Sequence, residues 1–306
     1  MDAQSSDHQQ LLYNDLPPVL IAADSPSAHE RARRTVLASG LRLAETLEIE
    51  DARDRIERQA AASALWIELD GQFGEPLDRL LDKVRDDSGH GRYSAIVSAR
   101  ADLIDPLTAK IGNADVELLI DADDSERAAA LSVALALRGE SHWARDVASD
   151  KSAVRLRQLS DEVSRIAATL ARLSTGPTQA SRQVEAVKGE DAPAISAETV
   201  RAVIRARRLR ARYFSEELFA DPAWDMLLDL LQAEIAHLRV PVSSLCIAAA
   251  VPATTALRWL KSMTSQGLFI RRADPHDGRR VFVELAPQTS QTLRRYFADA
   301  GQVAVI

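Results

Sequence analysis

The sequence has only one cysteine, Cys246, and six histidines among its 306 residues. A single cysteine excludes a disulfide framework within the chain and suits a reducing compartment. The histidines are scattered without metal-ligand spacing, so we expect neither a metal nor another cofactor. No apolar run approaches the roughly 18 residues of a membrane span, and the first ten residues lack the basic and apolar regions of a secretory signal. We therefore expect a cytoplasmic protein with no membrane partner.

Two patterns that mark catalytic sites are also missing from the sequence. There is no glycine-rich phosphate loop and no nucleophile elbow, and we expect a protein that is not an enzyme. Cys246 stands beside Leu245, Ile247 and Ala248. This apolar setting predicts a buried thiol rather than a redox sensor.

The charge of the chain is divided unevenly. The chain is 46% hydrophobic and 27% charged, and its length suggests two domains. Residues 198–306 carry 15 of the 38 Lys and Arg and 11 of the 45 Asp and Glu, a balance of +4, whereas residues 1–197 carry 23 and 34, a balance of −11. Such segregation is typical of a nucleic-acid-binding module joined to a part that does not bind nucleic acid.

Short apolar runs alternate with amphipathic stretches from residue 16 to residue 142, after a polar tail of 15 residues that we expect to be flexible. Strands that alternate with helices indicate a parallel sheet covered on both faces. The pattern predicts an α/β domain with a five-stranded parallel sheet. The predicted strands are 19–24, 41–47, 64–70, 94–99 and 116–120.

A different apolar period follows, at residues 150–174. The apolar residues recur every three or four positions, and this spacing indicates a heptad seam. We interpret the seam as a short coiled coil that joins two chains, with a single amphipathic helix packed on its own domain as the alternative. Residues 175–197 contain Gly, Pro and Ser and predict a linker. The seam consists of Leu156, Leu159, Val163, Ile166, Leu170 and Leu173.

The last part of the chain, 198–306, begins with a basic helix that carries six arginines between Arg201 and Arg212. A second helix over 223–237 follows the capping pair Asp221-Pro222. We then predict a short helix capped by Ser243 or Ser244, a tight turn at 249–251, a helix over 253–267, a hairpin, and a helix over 290–298. The hairpin turn, 274–278, has turn chemistry, because Pro275 presets φ, an aspartate can bond its own backbone and Gly278 accepts positive φ. This order is that of a winged helix-turn-helix.

The second helix of a helix-turn-helix enters the DNA major groove, so one side of it is apolar and the other offers donors and cations. Ala256, Leu260 and Met263 form the inward stripe. Arginine can address guanine, and threonine can meet phosphate or a thymine methyl. An ordinary solvated face is the alternative, and the arginines of the hairpin argue against it. The predicted DNA contacts are Thr254, Thr255, Arg258, Lys261 and Ser262 on the helix and Arg271, Arg272, Arg279 and Arg280 on the hairpin.

Residues 224–293 resemble the MarR family of winged-helix transcription factors. The family pattern GL-x-x-R is matched at 267–271 and its wing pattern D-P-x-D-R-R at 274–280, with Gly278 in the place of the first wing arginine. The resemblance implies a DNA-binding transcription regulator. It also implies that Arg279, with Arg280 beside it, is the cation at the wing tip.

Residues 16–142 resemble a response-regulator receiver, through V-L-I-x-x-D at 19–24 and I-V-S-A at 96–99. Receivers transfer a phosphoryl group to an aspartate with the help of Mg²⁺, a hydroxyl and a lysine. Here the lysine position falls on Ile120 or Asp121, and the acceptor position on either Glu68 or Asp70. We therefore expect a pseudo-receiver that works by protein contact. The candidate degenerate phosphoacceptor site comprises Asp24, Glu68, Asp70 and Ser98.

Together these patterns predict a cytoplasmic, homodimeric regulator that binds double-stranded DNA and receives a signal or a protein partner through its receiver-like domain. One alternative is a signalling adaptor, in which the winged helix has become a protein-interaction module. Another is a response regulator controlled by phosphorylation. Salt-dependent binding to duplex DNA separates the regulator from the adaptor.

Overall fold

The computed structural model describes residues 17–58, 62–71, 74–88, 90–146 and 194–300. Of these, 17–135 and 194–300 belong to one compact unit, and 136–146, which are helical, belong to a second. The compact unit is built from an α/β part, residues 17–135, and a C-terminal part, residues 194–300. The predicted tail, the heptad seam from Leu156 to Leu173 and nearly all of the predicted linker lie outside the described residues.

The α/β part contains five parallel strands in the order β2-β1-β3-β4-β5. This confirms the predicted five-stranded parallel sheet. The strands are β1 (Val19–Ala23), β2 (Leu43–Glu48), β3 (Ala64–Glu68), β4 (Ser94–Ala99) and β5 (Val116–Ile120). The helices are α1 (Pro26–Ala38), α2 (Ile49–Arg58), α3 (Glu75–Ser88), α4 (Ile104–Ile111) and α5 (Asp124–Asp146).

The strand order places a topological switch point between β1 and β3, because the chain winds in opposite directions from β1. Sheets of this kind carry their sites at the carboxyl ends of the strands. Every residue of β1 and β3 is buried, as expected when helices cover both faces. Glu68 ends β3 and lies in register with Ser98 of β4. Asp24 follows the last residue of β1, so three predicted site residues meet at this edge.

The C-terminal part contains helices and a three-stranded antiparallel sheet in the order β6-β8-β7. The helices are α6 (Ala197–Leu209), α7 (Pro222–Ile235), α8 (Val242–Ala248), α9 (Ala253–Ser265) and α10 (Pro287–Ala300). The strands are β6 (Val240–Pro241), β7 (Phe269–Ala273) and β8 (Val281–Leu285). The predicted helices, the tight turn between α8 and α9, and the hairpin are all present.

Local capping explains where two of these helices begin. The Asp221 side chain accepts a hydrogen bond from the Trp224 amide at 3.2 Å, so the predicted cap of α7 is confirmed. The predicted cap of α8 by Ser243 or Ser244 is wrong. The helix begins directly after Pro241, which has no side-chain acceptor, and Ser243 is already inside the first turn.

The turn of the β7–β8 hairpin is closed by aspartates rather than by glycine. The Asp274 side chain accepts from the His276 amide at 2.9 Å, and the Asp277 side chain accepts from the Arg279 amide at 3.0 Å. These side-chain turns reverse the chain without a left-handed residue. The predicted backbone bonding by aspartate is thus confirmed, whereas Gly278 is not among the glycines with positive φ, so the turn does not use its conformational freedom.

One hydrophobic core runs through both parts of the compact unit. It joins apolar side chains of α4 and β5 to those of α8 and α9. From the α/β part come Leu103, Ile104, Leu107, Ile111, Val116 and Ile120, and from the C-terminal part Val242, Leu245, Leu257 and Leu260. The helix predicted to read DNA is therefore close to the edge of the parallel sheet.

None of the described helices is by itself long and apolar enough to span a membrane. Helices α8 and α9 meet the length and hydropathy of a span only when taken together, and this pair is bent by 109°.

Candidate nucleic-acid interface

The inner side of α9 is the apolar stripe that the sequence predicts. Ala256, Leu260 and Met263 are all buried. Their spacing of four and three residues puts them on one side of the helix, where they join the core of the C-terminal part. The other side of α9 is thereby turned away from that core.

That outer side packs against β5, the edge strand of the parallel sheet. Thr254 is 8% exposed, and its hydroxyl accepts a hydrogen bond from the Ile120 amide at 2.9 Å. Leu257, one turn further along α9, is also buried. Edge strands present unpaired amides that a protein must cover. In this fold the helix predicted to read DNA, α9, covers the amide at the end of β5.

Two cations of α9 pair with acidic residues before or within β5. The Arg258 Nε donates to the Glu117 carboxylate at 2.7 Å, and its Nη2 donates to the same oxygen. The Lys261 Nζ lies 3.0 Å from the Asp115 carboxylate. All four side chains keep contact with solvent, and the Asp115 side chain is 93% exposed. These are surface ion pairs, each of modest strength.

Arg271 of β7 binds the C-terminal end of α4. Its guanidinium donates to the Thr108 carbonyl at 2.8 Å and to the Gly112 carbonyl at 2.7 Å. The negative end of the helix dipole lies at these carbonyls and favours a cation, and Arg271 donates to the Thr108 carbonyl in addition to the Gly112 amide. Burial lowers the pKa of Arg271 from its usual range. This arginine is therefore committed to the α/β part in the structure.

A further contact joins α4 to α8. The Asp105 carboxylate accepts from the Ser243 amide at 2.9 Å and from the Ser243 hydroxyl at 2.6 Å. The α/β part thus supplies the carboxylate at the start of α8 that the helix lacks in its own sequence.

Nearby, burial and then the Asp105 charge raise the pKa of Cys246 to about 12. Cys246 is buried, as the sequence predicts.

Three of the remaining predicted DNA contacts, Arg272, Arg279 and Arg280, stand on the exposed hairpin. Arg272 pairs with Glu284 at 2.6 Å, and Arg280 lies 3.3 Å from Asp277, with both arginine side chains more than half exposed. Arg279 is exposed beside them. Thr255 and Ser262 of α9 are partly exposed.

The carboxyl ends of β1, β3 and β4 form the predicted phosphoacceptor crevice. Glu68 is 1% exposed, and its carboxylate lies 3.1 Å from the Arg31 Nε and 3.2 Å from the Arg127 Nη2. The Trp66 indole donates to its other oxygen at 2.8 Å. Buried charges need such partners. Glu68, one of the two candidate acceptor positions, thus has its charge neutralised by two arginines.

The other acidic residues of the crevice are also held by the protein. The Asp24 carboxylate accepts from the amides of Asp70 at 2.9 Å and Gly71 at 3.1 Å and so fixes the loop after β3. Burial alone would raise the pKa of Asp70, but hydrogen bonds from Ser25, Ser27 and Arg31 hold it at about 2. These partners come from the start of α1 and from its second turn.

The hydroxyl and lysine positions of a receiver can also be located. Ser98 is buried beside Glu68, and β5 ends at Ile120, so that Asp121 follows the strand. Because Glu68 and Asp24 are engaged by arginines and amides, the crevice does not fit the Mg²⁺ of a receiver. Among the described residues, no group of three or more His, Cys, Asp or Glu could hold a metal ion.

Several residues of these contacts have no local signal in the sequence. Asp105, Asp115 and Glu117 are acidic residues at ordinary surface positions, and they lie about 140 residues from their partners in α8 and α9. Arg31 and Arg127 similarly come from helices on two sides of β3 in the sequence. Only the tertiary fold brings these groups together.

No protein-family model and no curated protein matches the chain. Among solved structures, the adhesin competence repressor AdcR from Streptococcus pyogenes is 14% identical, over 34% of this chain and 74% of its own, with a TM-score of 0.21. The homodimeric winged helix-turn-helix DNA-binding domain of Mb0332 from Mycobacterium bovis, a possible ArsR-family transcriptional regulator, is 20% identical over 36% and 93%, with a TM-score of 0.20. The transcriptional regulator Tm0710 from Thermotoga maritima is 17% identical over 35% and 80%, with a TM-score of 0.21. TM-scores this low do not by themselves indicate a function for this chain.

Proposed function

We propose that the chain is a DNA-binding transcription regulator and not an enzyme, with the C-terminal part as its DNA-binding module. The succession of α8, a tight turn, α9 and the β7–β8 hairpin is that of a winged helix-turn-helix, in which the second helix enters the major groove. The finer features belong to the same proposal. They are MarR-type recognition, a homodimer formed through the seam at 156–173, and a cytoplasmic location.

The observation that carries this proposal is the set of cations on α9 and the hairpin. Arg258 and Lys261 stand on the outer side of the helix, and Arg272, Arg279 and Arg280 are exposed on the hairpin that follows it. Phosphate contacts supply most of the affinity of such proteins for DNA, and a projecting arginine is favoured by the negative potential of the minor groove.

The α/β part acts in this proposal as a pseudo-receiver that works by protein contact. Phosphoryl transfer to an aspartate requires a free carboxylate and a cation to hold the phosphoryl group. Glu68 ends β3 with two arginines on its carboxylate, and Asp24 accepts backbone amides. This arrangement favours contact over phosphorylation.

A signalling adaptor is the second candidate, and one observation favours it. The outer side of α9 already binds a protein surface, through Thr254, Arg258 and Lys261. A winged helix that serves only protein contact would keep this interface and would bind no DNA. Duplex binding therefore separates the two candidates.

The test is binding of the full chain to labelled duplex DNA, measured by fluorescence anisotropy over a series of salt concentrations. A regulator gives a log K that falls linearly with log salt. Arg279→Ala should weaken binding on all sequences and reduce the slope by about 1, because one phosphate contact is lost. Arg58→Ala removes an exposed arginine of α2 and is the matched control. Equal binding by both variants would refute the role of the wing.

A further inference from the structure

Four of the nine side chains predicted to bind DNA are held by the α/β part. Thr254, Arg258 and Lys261 of α9 and Arg271 of β7 each hydrogen-bond or pair across to it. Their partners lie at the C-terminal end of α4, just before β5 and on β5. We call them the acidic edge and define it as Thr108, Gly112, Asp115, Glu117 and Ile120. A side chain that is held by this edge cannot contact DNA at the same time.

Steric exclusion adds to this competition for partners. A recognition helix reads bases with its outer side inserted in the major groove. In this structure Thr254 and Leu257, on that side of α9, are buried against the α/β part. The groove therefore cannot receive the helix unless the two surfaces separate.

The chemistry of the acidic edge resembles that of the DNA backbone. Carboxylates of Asp115 and Glu117 meet Lys261 and Arg258, as phosphate oxygens would. The carbonyls of Thr108 and Gly112 present the negative end of α4 to Arg271. Carboxylate oxygens thus lie next to Arg258 and Lys261, and carbonyl oxygens lie next to Arg271.

We propose that the acidic edge is an intramolecular inhibitor of DNA binding, which the protein must release before α9 can enter the major groove. This inference rests on the proposed function and adds its regulation. DNA and the edge compete for one helix, so each weakens the binding of the other by the same factor.

The ion pairs add a modest contribution to the closed arrangement, beside the hydrophobic core that the two parts share. A surface ion pair shifts an equilibrium by about 1.4- to 5-fold. Two such pairs, Arg258 with Glu117 and Lys261 with Asp115, therefore contribute a factor of about 2 to 30 to the equilibrium that favours the closed arrangement. Surface charges are screened by salt, so higher salt loosens the closed state as well as DNA binding.

The amide of Ile120 reports directly on the closed arrangement. It ends the edge strand, and its hydrogen bond goes to the Thr254 hydroxyl, 2.9 Å away. When α9 leaves the edge, this amide loses its acceptor and exchanges its hydrogen with solvent faster. The proposal predicts that adding DNA to the wild-type chain increases the exchange rate at Ile120.

The test uses the full chain and a short duplex of random sequence. Asp115→Asn combined with Glu117→Gln removes both charges of the edge with little change of shape. Glu45→Gln combined with Asp51→Asn removes two exposed acids at the opposite edge of the sheet, on β2 and α2, and is the matched control. Both double variants change the net charge equally. We expect the edge variant to bind DNA about 2- to 30-fold tighter than the control and to exchange faster at Ile120 without DNA.

The outcomes separate the two claims. If DNA binds with the expected salt dependence while Ile120 stays protected and both variants bind alike, the inhibition is refuted and the proposed function stands. If the edge variant exchanges faster at Ile120 and still binds no DNA, the proposed function is refuted. Should the edge variant fail to fold, the effect of DNA on Ile120 exchange in the wild-type chain decides the inhibition alone.

Discussion

Replacing Asp105 by alanine tests whether the α/β part caps α8, as the structure shows. Its carboxylate accepts two hydrogen bonds from Ser243, at 2.9 Å from the amide and 2.6 Å from the hydroxyl. Asp105→Ala removes both acceptors and leaves the start of α8 without a side-chain partner. Asp102→Ala is the matched control, because Asp102 lies just before α4, is 66% exposed and pairs with Arg100 only at 3.7 Å.

The expected cost follows from these two bonds. A hydrogen bond to a charged acceptor contributes about 1.5–3 kcal/mol, and loss of a helix cap costs about 0.5–2 kcal/mol. Because Asp105 is partly exposed, we expect Asp105→Ala to lower the free energy of unfolding by about 2 kcal/mol. Asp102→Ala should change it by less than about 0.5 kcal/mol.

Urea denaturation, followed by circular dichroism, measures both changes as shifts of the midpoint at constant m-value. A double-mutant cycle with Ser243→Ala isolates the bond to the hydroxyl, for which we expect a coupling of about 1 kcal/mol. Equal stability of the Asp105 and Asp102 variants, together with additive effects in the cycle, would show that this contact does not hold the two parts together.

Two further predictions follow from the perturbed pKa values. Asp70 has a pKa of about 2 in the folded chain, below its ordinary value of 3.8, so it stabilises the fold above pH 4 and this contribution is lost as the pH falls from 4 to 2. Asp70→Asn should therefore cost about 1–2 kcal/mol at pH 6 and about half of that at pH 3, by urea denaturation; a cost independent of pH would contradict this assignment. The pKa of Cys246 is raised to about 12, so iodoacetamide at pH 8 should alkylate the folded chain at least about 10³-fold more slowly than the chain in urea, and equal rates would show an accessible thiol.

The parts of the fold that the sequence predicts are those with a local signal. Strands β1 and β3 are continuous apolar runs between helical patterns, and each is buried throughout. Asp221 before Pro222 marks the start of α7 because the cap and the helix are neighbours in the chain. The inward stripe of α9 follows from helical spacing alone.

The packing of α9 on the acidic edge has no such signal. Thr254, Arg258 and Lys261 form a polar helix face, and a polar face has the same spacing whether it meets water, DNA or another part of the protein. Their partners, such as Glu117, lie more than a hundred residues away. The cap of α8 could not be predicted for the same reason, since its acceptor, Asp105, lies on α4.

A genome-wide map of the DNA sites that the chain occupies in its host tests the central claim most directly. Chromatin immunoprecipitation and sequencing should compare the wild-type chain with the double variant Arg279→Ala and Arg280→Ala, which keeps α9 and its contacts. The proposed function predicts discrete occupied sites for the wild-type chain that are lost or strongly weakened in the variant, because phosphate contacts at the wing supply affinity. A wild-type map without discrete sites, indistinguishable from that of the variant, would contradict a role in transcription.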